Sequence, residues 1–429
     1  MSHNQRKIKV AVVGAGAAGL CAGRHLVAES EIFSCDIYEQ QDDVGGTWRY
    51  SPQVGMDDYG LPIHSSMYKN LRTNLPKEVM AFPDFPFKES DKSFLHHTEV
   101  LSYLQEYGKH FNVYQQIKFQ TLVENVQPLQ SPNKELTWKL VARNLKTDEN
   151  LEEVYDAVMV CNGHYSVPYI PEIEGLHSFN GLLIHSHDYR DAKKFKNLKV
   201  VVLGAGASGI DIALEVSKFA KEVVLSHNTP AKTCPLPDNM IQEKGIESVS
   251  ESSVTFLDKK IYNCDAIIIC TGYLYTYPFL HPDCKVEIGD QKVSPLYLHL
   301  FHTYFPTLAI WAIPKLIIPF PIYDQQVKVF LKFLKGIIEL PSEKIMLAET
   351  EKDFEDRLEQ GFKPRHAHNM PGKWQWEYDD KLSSFGKIDP IPNVIRNIYQ
   401  HVHHERVVDV LNYKKVKYSI VDNENFSFS

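Results

Sequence analysis

Two sets of three glycines carry the clearest chemistry in this 429-residue chain. In IKVAVVGAGAAG (8–19) an apolar run meets Gly14, Gly16 and Gly19, and a helical pattern follows from Ala17 to Val27. LKVVVLGAGASG (198–209) repeats the design with Gly204, Gly206 and Gly209. Glycines at this spacing permit a tight turn and a close backbone approach. The helix that follows presents free N–H groups, here those of Ala17 and Ala18 or Ala207 and Ser208, to a pyrophosphate. One such loop is weak evidence, but two, each with a strand before it and a helix after it, point to two dinucleotides.

The strand ends separate the two loops. CDIYE (35–39) ends in Glu39, 20 residues after Gly19, where a carboxylate accepts both hydroxyls of an adenosine ribose. EVVLSHNTP (222–230) ends instead in Ser226 and His227, with Lys232 beyond. No acid stands there to repel a 2′-phosphate, which favours NADP over NAD. Between the loops, FNGLLIHSHDYR (179–190) crowds His185, His187 and Asp188. A metal site needs three or four convergent ligands, and His185-x-His187 offers two on opposite sides of an extended chain. The stretch reads as a hinge, and no metal is expected. His366 with His368, and His401, His403 and His404, read as solvated faces.

These residues need elements to hold them. DAVMVCNGHY from Asp156 and DAIIICTGY from Asp265 share Asp-Ala, three apolar residues, Cys, one residue, Gly. Each follows a hairpin-like stretch and reads as a central parallel strand closing its own phosphate-loop unit. The fold class is therefore α/β, with two dinucleotide-binding, Rossmann-like domains. The first is discontinuous (1–165 and 295–429), and the second (170–295) is inserted in it. Residues 304–320 are apolar but broken by Pro306, Pro314, Lys315 and Pro319, too broken for a spanning helix, and read as buried strand and turn. Helices are expected from Gln325 and over 342–361, the latter opened by Ser342.

Composition sets outer limits. Apolar residues are 43% and charged residues 23%, as in ordinary globular domains, and the net charge of −8 argues against nucleic acid as a partner. The N-terminal stretch shows no export-signal pattern. The seven cysteines form no C-x-x-C pair and read as buried reduced thiols of a cytoplasmic protein.

F-x-G-x-x-x-H-x-x-x-Y, filled by Phe179, Gly181, His185 and Tyr189 between two dinucleotide loops, resembles the fingerprint of the flavin-containing monooxygenases. GGTW (45–48), LRTNLPKEVM (71–80), FPDFPF (82–87), TGY (271–273) and PTLAIWAIPKLIIPFPIYDQQVK extend the resemblance over almost the whole chain, with Asp324 and Lys328 where Glu and Arg are commoner. The length is similar to that of soluble insect members, among them pyrrolizidine-alkaloid N-oxygenases that act in alkaloid detoxification. The resemblance implies that NADPH reduces FAD, that O2 adds at the flavin C4a, and that the hydroperoxide passes its distal oxygen to a soft nucleophile, a tertiary amine or a thioether. It implies that Gly46, Thr47, Trp48, Arg72, Thr73, Val123 and Gln326 contact the flavin dinucleotide, that His185 contacts a cofactor, and that Asn74 is catalytic. From the residues alone, Thr73-Asn74 equally fits a turn cap, and Arg72 fits either a phosphate contact or a surface charge. Two alternatives stay open. A Baeyer–Villiger monooxygenase would usually carry Trp in place of Tyr189, and a redox sensor would keep both loops without oxygenating. Integral membrane association is not expected, and a homo-oligomer is allowed.

Overall fold

The computed structural model describes residues 6–130 and 136–429. The run IKVAVV forms the strand Ile8–Val13, and Val10 to Val12 are wholly buried because parallel strands flank it on both sides. Its partners are Phe33–Tyr38 and Ala157–Val160. The seven-stranded sheet runs 296–297, 301–302, 308–310, 157–160, 8–13, 33–38, 117–118, antiparallel only at the 296–310 edge. Strands from residues 8–160 and from 296–310 therefore share one sheet. The second sheet is fully parallel, in the order 240–243, 222–226, 199–203, 266–269, 182–185, and all of it comes from the intervening chain. The fold is two Rossmann-like units, the second inserted in a discontinuous first.

The sequence echo has a structural cause. Val10 pairs with Ala157 and Val200 with Ala266, the same register in both units. Ahead of each pairing, an aspartate fixes that register. The Asp156 carboxylate accepts the Lys9 backbone N–H at 2.8 Å, and the Asp156 N–H returns to the Lys9 carbonyl. Asp265 and Lys199 form the identical clip. The hairpin-like stretches become three-stranded antiparallel sheets over 121–155 and 246–263. Where the chain passes between units, Val167–Pro168 pairs with Tyr273–Leu274, so both crossings are joined in one short ribbon.

Residues 304–320 contain the strand Leu308–Ile310 and a buried turn through Pro314. The next helix, Pro319–Leu334, begins six residues before the expected Gln325. Pro319 sits in its first turn, where proline costs no hydrogen bond, and Phe320 and Ile322 are already buried. The acidic helix is Glu343–Glu359 with Ser342 at its cap position, although the serine side chain makes no cap bond. Among the described residues, no helix is long and apolar enough to cross a membrane, and all seven cysteines are buried and free.

The two glycine roles separate by mutation. Gly204 has φ of +109°, and a Cβ there would lie 2.5 Å from the Cys270 carbonyl oxygen, whereas a Cβ on Gly206 would meet nothing within 4 Å. Gly204→Ala should therefore cost ~1–3 kcal/mol and lower Tm, while Gly206→Ala should leave Tm near the wild-type value. Equal losses in thermal unfolding would contradict this assignment.

Candidate functional site

Both phosphate loops close against the carbonyl of a cysteine. At the first, Gly14 (φ +101°) leaves room for only 2.7 Å between a Cβ and the Cys161 oxygen, and Gly19 brings its helix against the Gly14 carbonyl. The helix Ala17–Ala28 has no side-chain N-cap, so the amides of Ala17 and Ala18 face the loop without a capping acceptor. Glu39 is 6% exposed; its carboxylate accepts from Ala15 N at 2.8 Å and Gln41 N at 2.9 Å. Burial pushes its pKa up, and those N–H groups partly offset the rise. GGTW folds over this loop: Gly45 N donates to the Ala15 carbonyl, Gly46 (φ +53°) packs on Gly16, and Thr47 accepts from Ser65 Oγ. Trp48 is half-buried, edge-on to Phe320. Val123 is buried in the strand Thr121–Gln130, whose first N–H bonds the Glu39 carbonyl.

At the second loop, Gly206, Ala207 and Ser208 are exposed, and the helix Ala207–Val216 again lacks a side-chain cap. Gly209 packs on the Gly204 carbonyl as Gly19 does on Gly14. The first loop is thus enclosed and the second open. Side-chain-free backbone and unsatisfied helix amides in both fit a pyrophosphate.

The side chains of Ser226 and His227, expected at a phosphate, are engaged within the protein instead. Ser226 is wholly buried and its hydroxyl donates to the Lys244 carbonyl at 2.7 Å. His227 has both ring nitrogens engaged, with Thr229 and with Gln242 Oε1. The strand end turns these groups inward. Among the described residues, Lys232 and Arg406 have no ion-pair partner. They are close enough for Arg406 to help depress the Lys232 pKa, after burial. Cys234 and Val410, close to them in the chain, pack with Ile210 of the loop helix. Arg406 gave no sequence signal, because it lies beyond the whole second unit.

FNGLLIHSHDYR is an inter-unit joint. His185 ends the strand Leu182–His185; its Nδ1 accepts from His187 N, its Nε2 is buried and unpartnered, and burial and then His187 push its pKa down to about 4. The ring is therefore neutral. His187 Nε2 meets the Ile63 carbonyl, and the Arg190 guanidinium donates to the carbonyls of Ser51, Gln53 and Ser65. Tyr189 donates to Glu215 Oε2 at 2.8 Å, while Asn70 of the first unit donates to Glu215 Oε1 at 2.7 Å. One turn earlier on the same helix, Asp211 is paired with Lys414, whose ammonium also donates to the Arg72 carbonyl.

That network holds the Thr73-Asn74 segment. The Arg72 guanidinium is taken up by the Phe94 and Lys414 carbonyls. Thr73 is buried and bonds Leu95 in both directions. Asn74 is half-buried and makes no side-chain hydrogen bond among the described residues, so the cap here is Thr73 alone. Gln326 is wholly buried; its amide nitrogen donates to the Tyr378 hydroxyl and its oxygen is unpartnered.

The histidine pairs also part company. His368 is buried, accepting the Val293 N–H and facing His299 Nδ1, so it is no solvated residue. Among the described residues, the grouping with metal-ligand reach is Cys21, His25 and Asp324. There the Lys328 ammonium already lies 2.7 Å from Asp324, on the side opposite to His25's bond with the other carboxylate oxygen.

The chain matches the family described as flavin-binding monooxygenase-like over residues 7–245 and 234–401. It belongs to this family. Flavin-containing monooxygenase FMO GS-OX-like 2 of Arabidopsis thaliana is 38% identical over 399 residues, covering 87% of this chain and 84% of that protein. The structure of S-allyl-L-cysteine S-oxygenase from Allium sativum is similar with a TM-score of 0.87 at 36% identity, covering 95% of each chain. Tmm from Pelagibacter sp. follows with a TM-score of 0.86 at 28% identity, covering 98% of this chain and 96% of that one. The protein is a flavin-dependent monooxygenase; the likeness to insect alkaloid N-oxygenases rests on length alone.

The joint makes a testable demand on this monooxygenase. Lys414→Met strands the Asp211 carboxylate in a largely buried place and should cost roughly 2–4 kcal/mol, at or below the range for fully buried pairs. Asp211→Asn combined with Lys414→Met should recover much of that loss. Chemical denaturation of both variants measures it, and equal instability of single and double variants would contradict the pairing.

Proposed function

We propose that the chain is an NADPH- and O2-dependent monooxygenase that transfers one oxygen atom to the sulfur of a small thioether. FAD is the resident cofactor of the first loop and NADPH the exchanging cofactor of the second. The observation that carries this reading is the difference between the loops. The first is roofed by GGTW and carries a carboxylate aimed at its own backbone. The second is open at Gly206 to Ser208, its strand ends in Ser226 and His227 and not in an acid, and the cations Lys232 and Arg406 belong to segments that pack on its helix through Cys234 and Val410. A covered site suits a cofactor that stays, and an open one suits a cofactor that must leave after giving up its hydride. The two cations suit a 2′-phosphate. The domain limits proposed are 1–165 with 295–429 for FAD and 170–295 for NADPH, with the ribbon of Val167–Pro168 and Tyr273–Leu274 at the crossing.

In this reading the flavin, once reduced, supplies the oxygen activation, and the chain supplies binding, orientation and dryness. The amides of Gly16, Ala17 and Ala18 hold the pyrophosphate, and Glu39 takes the ribose hydroxyls. Gly46, Thr47 and Trp48 wall the ring side, and neutral His185 stands at the unit joint without adding charge. Asn74 is the donor of the reacting centre: the two residues before it, Arg72 and Thr73, are anchored to Phe94, Lys414 and Leu95, while its own amide has no protein partner among the described residues. Sulfur is preferred to nitrogen as the acceptor on the likeness to the S-allyl-L-cysteine S-oxygenase. Tertiary amines, soft nucleophiles of the same kind, are the second reading.

Asn74→Asp tests the assignment. The size is kept, but the NH2 donor becomes an acceptor-only carboxylate. Losing one preorganised donor at a site of developing charge costs ~10²–10³ in rate. Flavin content and the anaerobic rate of reduction by NADPH should stay near wild type. Sulfoxide formed per NADPH should collapse, with hydrogen peroxide rising to replace it. A variant that oxygenates a thioether with normal coupling would remove Asn74 from the chemistry.

A further inference from the structure

Lys315 lies in the turn between the strand Leu308–Ile310 and the helix Pro319–Leu334. It is half-buried, and its ammonium stands 4.1 Å over the ring of Tyr275. Among the described residues it has no carboxylate within ion-pair reach and no side-chain hydrogen bond. Burial without a counter-charge pushes its pKa down to about 8. Beside it is His164, 6% exposed, with neither ring nitrogen partnered; the Ala312 carbonyl is near but outside bonding geometry. The His164 ring lies 5.0 Å from that of Tyr275 and 4.2 Å from that of Tyr165. Burial, and then Lys315, hold its pKa down at about 3, so the ring is neutral and keeps one N–H to donate.

The place is not remote from the chemistry. His164 is three residues past Cys161, whose carbonyl closes the first phosphate loop, and Lys315 leads into the helix carrying Gln326. A half-buried ammonium without a counter-charge beside a buried, unpartnered imidazole is costly in a fold. They become favourable when an anion bridges them, because both can donate to it in a weakly screened setting. The exposed ring of Tyr165 offers an apolar lining for the rest of such a molecule.

We propose that Lys315 and His164 form a subsite for the carboxylate of the substrate, so that the thioethers this enzyme oxygenates carry an acidic group. The subsite rests on the sulfur-oxygenation reading for its turnover test but not for its binding test. The same donors would also suit the anionic ring of a reduced flavin, and the experiment separates the two sources.

The probes are 3-(methylthio)propanoate and its methyl ester, which share the sulfur and differ in charge. On oxidised, flavin-loaded protein, spectral titration gives Kd for each; in turnover, sulfoxide formation gives kcat/KM. The wild type should prefer the acid in both. Lys315→Met should lower the acid-to-ester ratio ~10–100-fold, the scale of a lost hydrogen bond to a charged group. Lys315→Arg should restore part of it, and His164→Ala should lower the ratio less. An unchanged ratio in Lys315→Met overturns the proposal. So does a common fall for acid and ester accompanied by slower anaerobic reduction, which would give the cation to the flavin. If the wild type oxygenates neither probe but binds the acid through Lys315, the subsite stands and the sulfur reading fails. If it binds neither, the subsite fails.

Discussion

The structure depends on one close contact made twice: the first glycine of each phosphate loop lies against the carbonyl of the cysteine that ends the neighbouring strand. No side chain fits in that gap, 2.7 Å at Gly14 and 2.5 Å at Gly204 as measured from a hypothetical Cβ. The contact requires each closing strand to run parallel to the first and to stop at a set residue. The aspartate clips at Asp156 and Asp265 hold the other end of that register. With both ends fixed, the helix after each loop starts at the same position with its first amides uncapped by a side chain. The dinucleotide sites are thus a consequence of strand register, and the duplication of one unit reproduces both.

What the duplication does not reproduce is the surroundings, and there the two loops differ. GGTW covers the first loop, whereas Gly206 to Ser208 of the second are exposed. The units also have to be held together, and beside the contacts of His187 and Arg190 the chain does this from one helix. Asp211 and Glu215 lie one turn apart on the helix after the second loop, and both reach residues of the first unit or of the C-terminal segment. Because Asn70, Arg72 and Lys414 are the residues reached, the network that orients the units also fixes the segment that presents Asn74.

Backbone and pattern were legible in the sequence; side-chain partners distant along the chain were not. The loops, the closing strands, Glu39 and the hinge all rest on local order, where spacing reports geometry directly. Ser226 and His227 stand at the strand end as expected, but a strand end fixes only the backbone, and Lys244 and Gln242 decide where their side chains turn. Arg72 could not be settled because its partner, the Lys414 carbonyl, lies 342 residues away. His368 looked exposed in a polar sequence and is buried because His299 and Val293 arrive from another segment. The helix at Pro319 began early because prolines that read as breakers are harmless in a first turn.

The central claim is that one chain uses two dinucleotides, one held and one exchanged, to place an oxygen atom from O2 on a thioether. The direct measurement is turnover of the purified, flavin-loaded protein with NADPH and a thioether under ¹⁸O-labelled oxygen, with the sulfoxide analysed by mass. One labelled oxygen in the product for each NADPH consumed is the predicted result. Unlabelled sulfoxide, or NADPH consumption that yields only peroxide whichever thioether or amine is supplied, would contradict the account.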